Sequence, residues 1–211
     1  MKNSSFTRRG VMLGLGGLAL VLNYKSRAAW GKSTSQEAIV NTFHAALIQV
    51  MRDADTLEYA DRFNHLLPVI EKSFHLPLML RIAVGDFWRK ASLSQQNRLK
   101  RVFTGICVGT YAARFSGYNG QSFLTKGSRK GPRDTILVDT LIHNPSGGDV
   151  PLTYVMSEIT GTWRIVDVLV SGGISELAVR RSEYRRTLKS EGIEGLIAKL
   201  TTRIKSLPFS N

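Results

Sequence analysis

With a single cysteine, Cys107, the 211-residue chain cannot form an intrachain disulfide, so packing alone must stabilise it even in an oxidising compartment. Histidine is nearly as scarce. The four present, His44, His65, His75 and His143, never recur at the short spacing that sets two ligands on one helix face, which argues against a structural metal site. There is no P-loop, no dinucleotide-binding fingerprint and no Gly-x-Ser-x-Gly elbow, so nothing signals a cofactor. No apolar run is long enough to span a bilayer comfortably. Acidic residues are outnumbered 16 to 29 by basic ones, and a net charge of +13 would ordinarily point to nucleic acid or an anionic lipid surface.

Part of that charge sits in a segment expected to be removed. The chain starts "MKNSSFTRRGVMLGLGGLALVLNYKSRAAW": cationic Lys2, Arg8 and Arg9, an uncharged stretch from Gly10 to Leu22, then small residues near Ser26, Ala28 and Ala29. This three-part order is that of an export signal over residues 1–29, with an uncleaved inner-membrane anchor as the alternative reading. The paired arginines suit a twin-arginine route, and the missing aromatic residue after them leaves the general secretory route open. Without residues 1–29 the chain holds 24 basic and 16 acidic residues, a net charge of +8. The "GLGLGG" glycines lie inside the signal and carry no phosphate-binding meaning. An exported protein meets little nucleic acid, and no recognised motif interleaves the remaining cations, so nucleic acid is not an expected partner.

Residues 30–211 read as a single α+β domain. From Gln36 to Met51, Ile39, Val40, Phe43, Ala46, Leu47 and Val50 recur at helical spacing. Asp55 and Glu58 predict a capping box for a second helix, running to about Leu67, where Pro68 should bend or end it. Pro77 suits the first turn of a third helix with Leu78, Ile82, Phe87 and Trp88 along its apolar face. Another starts near "SLSQQ" and carries Leu99, Val102, Phe103, Ile106, Cys107, Thr110 and Tyr111 in one stripe.

At "SGYNG" the period changes from 3.6 to 2, and four strands follow: 121–128, 134–143, 151–159 and 162–170. The intervening turns predict an antiparallel meander. A two-residue Thr160-Gly161 turn would set Glu158 opposite Trp163, Met156 opposite Ile165, Tyr154 opposite Asp167 and Leu152 opposite Leu169. Both sheet faces are substantially apolar, so both should be covered. Two closing helices, from about Ile174 to Ser190 and from Ile193 to Lys205, are divided by Gly192.

Few residues look chemical. The carboxylates Asp53, Asp55, Glu58 and Asp61 are explained by capping and a solvated face. Asp167 interrupts an apolar strand on the Trp163 and Ile165 face. It is either a general base acting on an apolar substrate or a cap for the turn into "SGGIS", bonded to Ser175 or backbone amides. In "ISELAVRRSEYRRTLK", Ile174, Leu177, Ala178, Tyr184 and Leu188 share a face with Arg181 at its edge, while Arg180 and Arg186 fall largely elsewhere. Arg181, Arg185 and Arg186 are the candidates for contact with a headgroup or an acidic partner.

A set of motifs appears in order over about residues 37–205: "WRKASLSQQ" with Trp88, Ser92 and Gln95; Phe103; Thr110-Tyr111; "GYNGQSF" with Tyr118, Gly120 and Phe123; "WRIVDV"; "GGISELAVRRSEY"; and "GIEGLIAKL". The chain thereby resembles the periplasmic lipid-shuttle family of the Mla type, also called the toluene-tolerance auxiliary family, and within it the hopanoid-biosynthesis-associated branch. The resemblance implies a non-enzymatic periplasmic carrier, with a curved antiparallel sheet packed with helices around an apolar cavity that takes a lipid's acyl chains. It also implies partners: a lipid ligand, an inner-membrane lipid transporter complex, in some members an outer-membrane lipoprotein complex, and transient membrane-surface contact.

The family carries no fixed polar signature in its cavity. Pocket candidates therefore come from the apolar stripes: Leu78, Ile82, Phe103, Cys107, Tyr111, Tyr154, Met156, Ile165 and Leu169. Two other functions fit the same residues, an enzyme using Asp167 as base and a ligand-free assembly factor in hopanoid metabolism.

Overall fold

The Ser35 hydroxyl accepts a hydrogen bond from the Ala38 amide and starts α1 (Gln36–Arg52), which buries Val40, Phe43, Leu47 and Val50, the face its periodicity predicts. The structure is a computed structural model and describes residues 35–207. The expected export signal, residues 1–29, lies outside the described residues.

α2 (Tyr59–Ser73) departs from expectation at both ends. Glu58 occupies the N-cap but makes no side-chain cap bond, so the Asp55–Glu58 capping box does not form. Pro68 lies inside the helix, which continues to Ser73. A proline there removes one backbone bond and costs about 3 kcal/mol. Leu66 and Ile70, both 0% exposed, flank it against α1 and α5, and burying two such side chains offsets that cost.

Pro77 does stand in the first turn of α3 (Leu76–Val84), where the His75 ring accepts a hydrogen bond from the Leu78 amide. The buried face is Leu76, Met79, Leu80 and Ala83, and Ile82 is 37% exposed. "LPLMLRIAV" is apolar almost all round, so periodicity alone does not choose its inner side. After the short α4 (Phe87–Lys90), the expected start of α5 (Leu93–Arg114) is a full capping box between Ser92 and Gln95.

The sheet is an antiparallel meander of β1 (Ser122–Lys130), β2 (Ile136–His143), β3 (Val150–Ile159), β4 (Thr162–Val170) and the two-residue β5 (Ile174–Ser175), in that spatial order. The four longer strands match the sequence reading to within two residues at each end. Thr160 and Gly161 form the expected two-residue turn, both with positive φ, and Glu158 and Met156 pair with Trp163 and Ile165. The register then slips. Val155 pairs with Asp167, leaving Val166 unpaired as a bulge, so Tyr154 faces Val168 rather than Asp167 and Leu152 faces Val170 rather than Leu169. Because side chains alternate, the one extra residue turns Val168 and Val170 toward the side shared by Tyr154 and Met156. It sends Asp167 and Leu169 to the other side.

The helices pack on the face carrying Val138, Tyr154, Met156 and Ile165. The opposite face is mixed, with Asp139 accepting hydrogen bonds from Arg129 and Thr153 and with Val155, Asp167 and Leu169 half-buried. α6 (Glu176–Ser206) closes over the core and breaks at Gly192, whose φ of 70° and ψ of −164° are open to glycine alone. Ile174, expected on this helix's inner face, belongs to β5 and is 58% exposed.

Candidate functional site

A cavity of about 250 Å3 lies between the helical layer and the sheet. Its floor is apolar: Leu47 from α1, Ile70 and Phe74 at the end of α2, Met79 from α3, and Tyr154 and Val168 from the sheet. Half-buried Ile142, Val150, Leu152 and Val170 line it at one end of β2, β3 and β4. At that end the wall is completed by Tyr111, Arg114 and Phe115 from the last turn of α5 and by Glu176, Leu177 and Arg180 from the first turns of α6. Among the described residues, charged side chains enter the wall only from these two helix ends.

The bulge at Val166 builds this wall. It places Val168 and Val170 beside Tyr154 and Leu152, where unbroken alternation would have put Asp167 and Leu169. The walls are stiffened by aromatic packing, with Phe43 edge-on to Phe74 at 5.0 Å and to Tyr111 at 5.1 Å between ring centroids. Tyr154 turns its hydroxyl to His44 and leaves its ring for the cavity.

Electrostatics keep most of the wall neutral. Burial pushes the Cys107 thiol and the Tyr111 and Tyr154 phenols up, so none ionises near neutral pH. A thiol held in this form is a poor nucleophile. Burial also works against the charged form of Arg180, but its neighbours Cys107, Tyr184 and Glu176 outweigh it and its pKa is raised. The guanidinium therefore stays positive.

Three of the nine expected pocket residues, Cys107, Tyr111 and Tyr154, line this cavity. Phe103, Met156 and Ile165 are sealed in the core at no more than 1% exposure. Leu78 is half-buried outside the wall, Ile82 faces out from α3, and Leu169 lies on the opposite sheet face. The arginines Arg181, Arg185 and Arg186 are all exposed on α6.

Asp167 is an anchor for the start of α6. Its carboxylate accepts hydrogen bonds from the Val168 amide at 2.8 Å, the Leu177 amide at 3.0 Å and the Ser175 hydroxyl, which itself caps Ala178. Of the two roles open to this residue, the geometry is that of the cap.

The sequence reading missed Arg180. At 100° per residue it falls between Leu177 and Thr187, both buried, whereas Arg181 falls outside that arc. Starting the helix at Ile174 rotated the inferred face away from it. Thr187, a small residue among arginines, was the available signal.

A sequence profile described as "MlaC protein" matches residues 41–202. Among solved structures, a phospholipid-binding protein from Ralstonia solanacearum, determined in complex with a phospholipid, superposes with a TM-score of 0.71 over 83% of this chain and 98% of its own, at 21% identity. That structure shares the fold, and the profile spans every element from α1 into the second half of α6. The chain belongs to the MlaC protein family.

Proposed function

We propose that this protein is a periplasmic lipid carrier that takes the acyl chains of a phospholipid, or of a hopanoid-like lipid, into the cavity and leaves the polar head at the open end. One observation carries the reading: the cavity is apolar throughout its floor and admits charge only where α5 ends and α6 begins. Burying a methylene is worth about 0.8 kcal/mol, so such a pocket removes from a membrane a lipid that water would reject. The phospholipid bound by the Ralstonia protein of the same fold supports the phospholipid form of the proposal. Asp167 accepts its three hydrogen bonds on the sheet face opposite the cavity and is absent from the cavity wall, which favours carriage over catalysis.

Release requires a partner offering an equally apolar path, which for this family is an inner-membrane transporter and in some members an outer-membrane lipoprotein complex. The exposed Arg181, Arg185 and Arg186 on α6 are our candidates for that contact, or for anionic headgroups at the membrane surface. Native mass spectrometry of protein isolated from its own host should find a stoichiometric lipid, identified after extraction. Protein isolated empty, and remaining so after incubation with vesicles, would refute the proposal.

A further inference from the structure

A second cavity, of about 350 Å3, lies at the other end of the sheet, beside the turn between β3 and β4. Its wall holds Glu71, His75, Thr104 and Arg164, whose guanidinium donates to the Glu71 carbonyl at 2.7 Å. Such a lining suits water rather than hydrocarbon. Among the described residues, Phe74 and Leu76 are common to both walls, so each of them meets one cavity on either side.

Phe74 is pinned where it stands. It ends α2 in extended backbone and bridges to Ile165, and the next amide, that of His75, donates to the Ile165 carbonyl at 2.8 Å. Its ring packs edge-on to Phe43 and tilted against Tyr111 at 6.0 Å between centroids. Its distance from the charged end matches a chain length. From Val170, at that end, back to Ile165 the path along β4 is about 16 Å at the rise of a strand. The hydrocarbon core of a bilayer is about 30 Å thick, so one acyl chain extends about 15 Å. A chain whose head stays among Arg114, Glu176 and Arg180 therefore brings its methyl end to Phe74.

We infer that Phe74 is the stop that limits how long an acyl chain the carrier accepts. The inference rests on the carrier reading and adds a length limit that is independent of the headgroup. A methylene that passes from a bilayer to an apolar pocket gains in one what it gives up in the other, so chains that end short of the stop are taken up alike. Past the stop each further methylene lowers uptake about fourfold, because only the Phe74 ring or the polar second cavity awaits it.

The test offers the delipidated full chain fluid vesicles holding equal amounts of dimyristoleoyl, dioleoyl and dierucoyl phosphatidylglycerol, and quantifies bound lipid by mass spectrometry. The wild type should take the two shorter lipids within about twofold of each other and the erucoyl lipid at least about tenfold less. Phe74→Ala, which joins the two cavities, should raise the erucoyl share at least about fivefold, and Phe74→Leu should raise it by less. Should Phe74→Ala not fold, the leucine variant carries the test. Leu99→Ala, which removes a core side chain away from both cavities, should leave the exclusion in place. Equal uptake of all three lipids by the wild type, an exclusion that persists in the folded Phe74 variants, or the same relief in Leu99→Ala would overturn the inference and leave the carrier intact. A wild type that takes up none of the three overturns both.

Discussion

The Nε2 atom of His44 stands 2.9 Å from the hydroxyl of Tyr154, a buried link between α1 and the middle of β3, with Phe123 stacked on the imidazole at 4.0 Å. Its other ring nitrogen has no hydrogen-bond partner. A second proton on this ring would therefore bury both a charge and an unpaired donor, and burial lowers the His44 pKa from 6.5 to about 4.

A dependence of stability on pH follows from that shift. Above the unfolded value of 6.5 neither state carries the proton, and His44 costs nothing. As pH falls toward 4, the unfolded chain takes up a proton that the folded protein refuses, so the stability present above pH 6.5 is lost on acidification. For a shift of this size the full loss is on the order of 3 kcal/mol. Urea midpoints measured between pH 7 and 4 should fall less steeply in His44→Gln than in the wild type. Parallel slopes would remove His44 as the cause.

Asp167→Asn keeps the size of the side chain but weakens a hub that accepts from Val168, Leu177 and Ser175. We expect a loss of about 1–3 kcal/mol in chemical denaturation, with lipid still bound. A variant that is fully stable yet inactive in some turnover assay would restore the general-base role.

Filling the cavity separates binding from folding. Val170 lines the wall and is half-buried, so Val170→Trp keeps access to solvent and should leave the melting temperature within a few degrees. Bound lipid, read by native mass spectrometry, should drop severalfold. Full occupancy in a folded Val170→Trp protein would place the lipid elsewhere.

Gly192 holds the break in α6 at φ 70° and ψ −164°. Alanine there is strained by about 1–3 kcal/mol unless the two halves of the helix realign, which would lift Ile193, Leu196 and Ile197 out of the core. Gly192→Ala should therefore lower the melting temperature by several degrees; an unchanged melt would show that α6 tolerates a straight axis.

Reversing Arg185 and Arg186 to Glu tests partner contact without touching the cavity. Both side chains are exposed, so stability should change by less than about 0.5 kcal/mol. Lipid loading should persist while delivery to membranes carrying the transporter slows. Unchanged delivery would leave the two arginines as solvated surface.

Strong local signals read correctly from sequence. Ser92 and Gln95 mark a helix start through their own side chains, and Gly161 marks the hairpin because glycine takes the positive φ that a two-residue turn needs. Gly192 and Pro77 act in the same local way. Where apolar residues occupy every side, as in "LPLMLRIAV", the pattern loses its phase, and Leu78 and Ile82 were placed inward when Met79 and Ala83 are the buried residues.

The sequence by itself determined the order of helices and strands, the antiparallel hairpins and the apolar supply for a core, because each depends on contacts a few residues apart. Tertiary structure decided the cavity. "WRIVDVLV" is apolar in both parities and contains no glycine to announce a bulge, so pairing with β3 alone fixed Val166 as the extra residue and brought Val168 and Val170 to the wall. Docking of α6 chose its inner arc in the same way. Arg180 and Arg181 are adjacent and chemically identical, and one lines a cavity while the other is exposed because Leu177, Tyr184 and Thr187 bury together.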